Sequence, residues 1–178
     1  AVEEALKDVL QVLGETLHFT LTKITRSRKM KKIMMIGKIG CGKTTLAQRL
    51  LGEEIHYKKT QAIQIIGDDI VDTPGEYLEQ KQFYNALIVT AVEADVILLL
   101  FSAIEEQSSF SPRMSSMFYG KPLIGVLTKT DLCQDPEQLT AGREQLRLAG
   151  AEIVMEVGLG DSECIQRLRN IIEGIKEG

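Results

Sequence analysis

The sequence has few of the residues that mark disulfide-rich or metal-binding proteins. It has no tryptophan, two histidines and three cysteines among its 178 residues. The cysteines, Cys41, Cys133 and Cys164, are odd in number and have no paired spacing, so the sequence predicts neither a disulfide framework nor a zinc site. The histidines, His18 and His56, are isolated and are predicted to lie at the surface. A reducing, cytoplasmic location fits this pattern best.

The sequence also lacks a long hydrophobic run and an excess of positive charge. Its longest apolar run, residues 96–101, is far shorter than the roughly 20 residues that a membrane-spanning helix needs. The first residues include Glu3, Glu4 and Asp8, where a secretory signal would be basic. The net charge of −4 provides no positive field for nucleic acid or an anionic membrane. These absences predict a soluble protein with no membrane span and no nucleic-acid partner.

From residue 32 onward, short apolar runs alternate with longer helical patterns. Such alternation is typical of crossover units in a mostly parallel sheet. Strands are predicted at residues 32–36, 62–66, 70–72, 96–101, 122–127 and 152–157. Helices are predicted from the loop after the first strand to Leu51, and over residues 78–94, 112–118, 136–149 and 162–176. Residues 30–178 therefore have the pattern of one α/β domain with six strands.

Residues 1–29 have a different pattern and are interpreted as an N-terminal amphipathic extension. Apolar residues recur there at helical spacing, at Val2, Leu6, Val9, Leu10, Leu13 and Leu17. Acidic and polar residues lie between them, so the pattern predicts an amphipathic helix. The alternation over residues 17–22 also permits a strand. Met30 would be a natural start for the second domain alone, which places the domain boundary between residues 29 and 30.

Residues 37–44 read GKIGCGKT and match the phosphate-binding pattern GxxxxGK[ST], directly after the predicted strand IMMI. Glycines let the backbone wrap around phosphates, so that amide groups and a helix N-terminus point at the anion. In this arrangement Lys43 pairs with the outer phosphates and the Thr44 hydroxyl binds Mg²⁺. Nucleotide contacts are expected from Gly37, Gly40, Cys41, Gly42, Lys43, Thr44 and Thr45.

Two residues of this segment have a second interpretation. Cys41 is either a small filler side chain or a redox-sensitive thiol close to phosphate, and the nearby helix N-terminus is expected to lower its pKa. Thr45 also fits an ordinary helix position.

The segment DTPG begins at Asp72, where a predicted strand ends, and resembles the DxxG element of GTPases. The Asp72 carboxylate is then expected to hold Mg²⁺ through water, and the Gly75 amide to sense the γ-phosphate. Thr60, in a polar loop before the second strand, is expected to reach Mg²⁺ only when a triphosphate is bound. The alternatives are a plain turn rich in proline and glycine, and an ordinary loop threonine. Residues 75–82 are therefore expected to act as a switch, and Lys43, Thr60 and Gly75 to contribute to catalysis.

The segment TKTD follows the predicted strand PLIGVL and resembles the guanine-specifying [NT]KxD element. Asp131 can accept hydrogen bonds from guanine N1–H and the exocyclic amine, a donor pair that adenine lacks, while the Lys129 stem covers the base. Thr128 replaces the commoner asparagine, so one hydrogen bond that holds this segment in place is expected to be weaker. A strand-ending turn before a helix cap is the alternative. The last base contact is predicted by position alone, at Val157 and Gly158.

The combination of GKIGCGKTTL, KKTQAI, DTPGEY, a helix containing NALI, and LTKTDL resembles the ethanolamine- and propanediol-utilisation group (EutP/PduV) of small Ras-like GTPases. The resemblance covers residues 30–178. It implies a three-layer P-loop NTPase fold, a Ras-like G domain with a six-stranded, mostly parallel sheet, and GTP/GDP and Mg²⁺ as cofactors. It also implies association with bacterial microcompartments. The extension, through residues 1–25, is then expected to contact a microcompartment shell protein or to mediate self-association.

The expected reaction is slow attack of water on the γ-phosphate of Mg-GTP, with Lys43 and Mg²⁺ neutralising the charge that develops. Glu76 stands where Ras has the glutamine that orients water, and Ile39 places bulk where an activating arginine would enter. Gln61 or a partner is an alternative means of positioning the water. Two other functions stay open: transfer of the γ-phosphoryl group to a small acid such as acetate, as in an acetate kinase, and a nucleotide-dependent scaffold that does not hydrolyse.

Overall fold

One six-stranded sheet carries the segments singled out above. The structure, a computed structural model, describes residues 31–52, 62–67, 69–105 and 110–175. The strands are β1 (Ile33–Gly37), β2 (Gln64–Ile66), β3 (Ile70–Asp72), β4 (Val96–Ser102), β5 (Leu123–Thr128) and β6 (Ile153–Val157). Their order is β2-β3-β1-β4-β5-β6. β2 runs antiparallel to β3, and the other neighbouring pairs are parallel.

The described residues also form five α-helices, the last of which follows β6, and three short 3₁₀ helices. The α-helices are α1 (Lys43–Leu51), α2 (Glu76–Glu79), α3 (Tyr84–Val92), α4 (Pro136–Leu148) and α5 (Ser162–Gly174). The 3₁₀ helices are Lys81–Phe83, Met114–Phe118 and Thr130–Leu132. Glycine sets both ends of α1, because Gly42 and Gly52 adopt the left-handed conformation there. Aspartates cap the last two helices, with Asp135 accepting from the Glu137 amide and Asp161 from the Glu163 and Cys164 amides.

Side chains of β4 are buried on both faces of the sheet. Ile97, Leu99 and Phe101 belong to one cluster with residues of α3 and α4. Side chains of a strand alternate between the two faces of its sheet, so Leu98 and Leu100, which are also fully buried, point to the opposite face. On that face α1 packs against α5, β1 and β3. Helices therefore cover both sides of the sheet, which confirms the predicted three-layer α/β fold.

Most predicted element bounds agree with the structure to within one or two residues, but the helix predicted over residues 78–94 is wrong. Three segments replace it: α2, the 3₁₀ helix Lys81–Phe83 and α3. The break lies at Gln80, whose backbone is extended at φ −118° and ψ 114°. The rings of Tyr77 and Phe83 stack across the break, with centroids 4.5 Å apart. The predicted helix 112–118 is the 3₁₀ helix Met114–Phe118.

Several predictions fall on residues outside the described ranges. These include the amphipathic extension over residues 1–29, and Thr60, His56 and Gln61 in the loop before β2. They stay predictions. Within the described ranges, no helix combines the length and the apolar character that crossing a bilayer requires.

Candidate functional site

The loop of residues 37–44 has glycine at three positions where its backbone conformation or close packing requires it. A Cβ atom at Gly37 would lie 2.5 Å from the carbonyl oxygen of Leu100 and 2.6 Å from Cys41 Sγ, so only glycine fits there. Gly40 and Gly42 have φ angles of 79° and 98°, which side chains rarely tolerate. The sequence thus folds into the cradle that the GxxxxGK[ST] pattern predicts.

Lys43 spans this loop with its ammonium group. The side chain is only 6% exposed, and Nζ donates to the carbonyl oxygens of Gly37 at 2.8 Å and Lys38 at 3.1 Å. A buried charge needs such partners, because desolvation otherwise favours its neutral form. The bonds hold one fixed positive charge inside the loop, where an anionic phosphate group would meet it.

Thr44 and Asp72 form an oxygen pair beside the loop. The Thr44 hydroxyl donates to Asp72 Oδ2 at 2.6 Å, and Asp72 is fully buried at the end of β3. Hydroxyl and carboxylate oxygens are the ligands that Mg²⁺ prefers, and Mg²⁺ usually keeps several waters and shares phosphate oxygens rather than occupying an all-protein cage. The described residues contain no cluster of three or more candidate metal-binding side chains. This donor set fits a metal bound jointly with a nucleotide.

Gly75 lies directly against the loop. A Cβ atom at this position would collide with the amide nitrogen of Ile39 and lie 2.6 Å from Ile39 Cγ1. Gly75 precedes α2, which Glu76 begins. The backbone at the start of the predicted switch therefore touches the phosphate loop, and the role of Gly75 as a γ-phosphate sensor stays a prediction.

An ion pair borders the same side of the loop. Lys38 Nζ lies 3.0 Å from Glu105 in the segment after β4. The hydrogen bond and charge of Glu105 raise the pKa of Lys38 above its ordinary value. Neither residue was singled out from the sequence, because only the fold brings these two positions together. Ile39, next to Lys38, is 45% exposed at the rim.

The TKTD segment is bonded to the phosphate loop at two points. The Thr128 hydroxyl is within reach of the Cys41 carbonyl oxygen at 2.6 Å and the Phe101 carbonyl oxygen at 3.3 Å. Lys129, held at φ 58°, donates from Nζ to the carbonyl oxygen of Gly40 at 2.7 Å. Thr128 was expected to give a weaker tie than asparagine, and this stays a prediction, although the bond to Cys41 is itself short and buried.

Asp131 faces the loop that follows β6. A Cβ atom at Gly158 would lie 3.3 Å from Asp131 Oδ1, so the two positions predicted for base contacts are neighbours. Val157 is fully buried at the end of β6, and its base contact stays a prediction. Leu159 lies against the phosphate loop, since its Cδ1 would lie 2.7 Å from a Cβ atom at Gly42, and this contact was not predicted. A large apolar residue between Gly158 and Gly160, just after the last strand, was the signal available.

Cys41 is a packing residue rather than an activated thiol. It is 1% exposed, and burial raises its pKa, with the opposing charge of Lys43 a smaller effect. The expected lowering of this pKa is wrong, because desolvation outweighs the charge of Lys43 and the hydrogen bond from its backbone amide. The interpretation of Cys41 as a filler side chain agrees with its position over Gly37. Thr45 lies in the first turn of α1, one residue beyond Thr44.

Comparisons with known proteins identify a family and several relatives. A family model described as "Ethanolamine utilisation - propanediol utilisation" matches residues 30–174. Propanediol utilization protein PduV of Citrobacter freundii is 45% identical over 125 residues, 70% of this chain and 81% of that protein. Probable acetate kinase EutP of Escherichia coli (strain K12) is 31% identical over 139 residues, 78% of this chain and 87% of that protein.

Solved structures with a similar fold include an elongation factor and Era. Bacterial selenocysteine-specific elongation factor EF-Sec aligns with a TM-score of 0.59 and 21% identity over 83% of this chain. Aquifex aeolicus Era, bound to GDP and AlF₄⁻, aligns with a TM-score of 0.57 and 21% identity over 84% of this chain. The alignments span 29% and 58% of those larger chains. At this identity the likeness establishes the fold, that of the P-loop GTPases.

Proposed function

This chain belongs to the ethanolamine utilisation–propanediol utilisation family (PduV-EutP), and from that premise we propose that it is a guanine nucleotide switch. In this proposal it binds Mg-GTP and Mg-GDP and hydrolyses GTP slowly. The observation that carries the proposal is the bond from Thr128 to the Cys41 carbonyl oxygen. It joins a segment suited to a guanine base to a loop suited to phosphates, at a fixed separation.

The base end of the site supports guanine over adenine. Asp131 lies beside Gly158, and the hydrogen bond from Lys129 to Gly40 holds the segment that precedes it. A carboxylate accepts but does not donate hydrogen bonds. Guanine presents N1–H and an exocyclic amine on one edge, whereas adenine has an unprotonated N1 there. Asp131 therefore complements guanine and repels the adenine edge.

The phosphate end supports a triphosphate with magnesium. Thr44 and Asp72 are the residues that would hold Mg²⁺, which when bound neutralises charge on phosphate oxygens. Lys43 supplies a fixed positive charge in a nearly dry loop, where its effect on a developing negative charge is stronger than in water. The packing of Gly75 against Ile39 of the loop supports a role for the Gly75 amide in sensing the outer phosphate.

The residues around the reacting phosphate favour slow hydrolysis. Glu76 begins α2 directly after Gly75, and a negative carboxylate there is repelled by the charge of the phosphates. Ile39 occupies the rim at 45% exposure, which obstructs an arginine supplied by another protein. Thr60 is proposed to supply a second hydroxyl ligand to Mg²⁺, in addition to that of Thr44. Such a slow switch suits assembly or docking, and the family description supports a role with microcompartments of ethanolamine or propanediol metabolism.

A second candidate function is transfer of the γ-phosphoryl group to a small carboxylic acid. It is favoured by the name of a relative that covers most of this chain, the probable acetate kinase EutP of Escherichia coli (strain K12). In that reaction a carboxylate oxygen attacks the γ-phosphorus, the bond to the β-phosphate oxygen breaks, and GDP leaves with the electron pair. A scaffold that binds nucleotide without turnover is the third possibility.

Product analysis separates these functions. Purified protein is incubated with Mg²⁺ and [γ-³²P]GTP, with and without acetate, and a parallel series uses ATP. Our proposal predicts labelled inorganic phosphate from GTP at the same rate with or without acetate. Label in acetyl phosphate would establish the transferase, and binding without either product would establish the scaffold. Lys43→Ala is the control, since turnover that survives this change comes from another enzyme.

A further inference from the structure

Ser102 has a buried hydroxyl next to the proposed site. It is the last residue of β4 and is only 4% exposed. Its Oγ atom has no hydrogen-bond partner among the residues that the structure describes. A buried polar group without a partner costs free energy, so such groups mark places where a rotamer change, a water or a ligand completes the bonding.

The sheet register places this hydroxyl beside Thr128. Ser102 and Thr128 are partners in the parallel pairing of β4 with β5, so their side chains stand next to each other on one face of the sheet. Leu100, two residues before Ser102 on the same face, lies against Gly37. The two hydroxyls therefore share the face that the phosphate loop covers.

Thr128 has fewer hydrogen-bond donors than there are acceptors around it. Its hydroxyl has one proton, but two carbonyl oxygens, those of Cys41 and Phe101, lie within reach. An asparagine at this position would have two N–H donors and one acceptor. When Thr128 donates its proton to the Cys41 carbonyl oxygen, Thr128 Oγ1 still has lone pairs that can accept a hydrogen bond. Ser102 is a neighbouring group with a proton to donate.

We propose that Ser102 is a positioning residue for the guanine site, whose hydroxyl donates to Thr128 Oγ1 when nucleotide is bound, directly or through one water. A rotation of Ser102 between staggered rotamers is enough to redirect its proton. The resulting chain from Ser102 through Thr128 to the Cys41 carbonyl strengthens each bond by polarisation. Together the two hydroxyls replace the hydrogen bonds that an asparagine at position 128 would make. The inference rests on the proposed binding of guanine nucleotides.

A double-mutant cycle with the full chain tests this role. The affinity for Mg-GDP is measured by calorimetry for wild type, Ser102→Ala, Thr128→Val and the double variant. Ser102→Ala is expected to weaken binding about three- to tenfold, the contribution of one hydrogen bond, and to have no effect in the Thr128→Val background. Ser116→Ala, which removes an exposed hydroxyl bonded to the Arg113 carbonyl, is the matched control and should bind as wild type.

Two further measurements distinguish positioning from a merely structural role. Without nucleotide, Ser102→Ala should melt at the wild-type temperature or above it, because it removes an unsatisfied group. Its preference for GDP over IDP should fall, since IDP lacks the exocyclic amine that a well-placed Asp131 accepts from. If Thr128→Val binds too weakly to measure, Thr128→Asn replaces it, and Ser102→Ala should then be silent because asparagine has its own donors.

The outcomes separate this inference from the proposed function. Unchanged affinity in Ser102→Ala, or an equal loss in both Thr128 backgrounds, would overturn the role of Ser102 while wild-type binding of GDP upholds the guanine site. Failure of the wild-type protein to bind any guanine nucleotide would overturn both.

Discussion

At the scale of single residues, Asp131 is the residue that we propose selects the base. Its carboxylate, next to Gly158, is expected to accept two hydrogen bonds from guanine. In Asp131→Asn an amide donor replaces one acceptor, which suits the C2 carbonyl of xanthine and opposes the guanine amine. The ratio of GTP to XTP affinity should therefore fall about 10- to 100-fold, in line with roughly 1.5–3 kcal/mol for a hydrogen bond to a charged group.

Competition binding with both nucleotides measures this ratio. Asp135→Asn is the matched control, because Asp135 is a nearby aspartate that caps α4 and asparagine caps equally well. A variant at Asp131 that keeps the full preference for GTP would show that base selection lies elsewhere.

Cys41 tests the electrostatics of the phosphate loop. Because burial raises its pKa and covers its sulfur, Cys41 should resist alkylation by iodoacetamide at pH 8, whereas the half-buried Cys133 should react. Mass spectrometry of the native protein after short exposure gives the order of labelling. Equal rates for Cys41 and Cys133 would contradict the buried, protonated thiol.

The same raised pKa predicts how Cys41 affects stability with pH. The folded protein holds the thiol proton more tightly than the unfolded chain, whose cysteine pKa is about 8.5. The contribution of Cys41 is therefore fully present below that value and declines as the pH rises above it. Urea unfolding at pH 7 and pH 9.5 should show a smaller difference between wild type and Cys41→Ala at the higher pH.

At the scale of elements, the N-cap of α5 is expected to contribute both to stability and to the proposed base site. Asp161 accepts hydrogen bonds from two amides of α5, and its own amide donates to the Gly158 carbonyl at 2.9 Å. Asp161→Ala should cost about 1 kcal/mol of unfolding free energy and also weaken GDP binding by loosening residues 158–160. Asp135→Ala removes the corresponding cap of α4 and should cost similar stability without loss of affinity.

Chemical denaturation and GDP titration of both variants check this difference. Equal effects of the two variants on GDP affinity would show that α5 does not position the base loop.

The strands could be predicted from the sequence because their signal is local. Each buried strand is a short apolar run, and the glycines at residues 42 and 52 mark the ends of α1. The break at Gln80 could not be predicted, because no glycine or proline marks it and the stacking of Tyr77 on Phe83 is a contact of the folded chain. Apolar periodicity alone extended one helix across both segments.

At the scale of the whole molecule, the parallel sheet brings distant segments to one edge. The bond between Thr128 and Cys41 joins residues 87 positions apart, and the pair of Thr44 and Asp72 joins residues 28 apart. Motifs in the sequence predicted that these segments act together. They could not predict Leu159 over Gly42, the ion pair of Lys38 with Glu105, or the burial of Cys41, since each depends on the packing of side chains.

The domain boundary leads to a prediction for the N-terminal extension. The described parts of the site all lie after residue 30, and the family match covers residues 30–174. Deleting residues 1–25 should therefore leave the affinity for GTP and GDP within about twofold of the full chain, while a self-association or partner contact is lost. Calorimetry and analytical ultracentrifugation of both forms measure this. A loss of nucleotide affinity of tenfold or more would contradict the separation of the two regions.

The central claim is that one site selects guanine through TKTD and binds phosphate through residues 37–44. The most direct test is a calorimetric titration of the purified full chain with GTP, GDP and ATP in the presence of Mg²⁺. The account predicts one site per chain that binds GTP and GDP, with ATP weaker by at least about tenfold, as expected when Asp131 meets no donor pair. Equal affinity for ATP and GTP would contradict it.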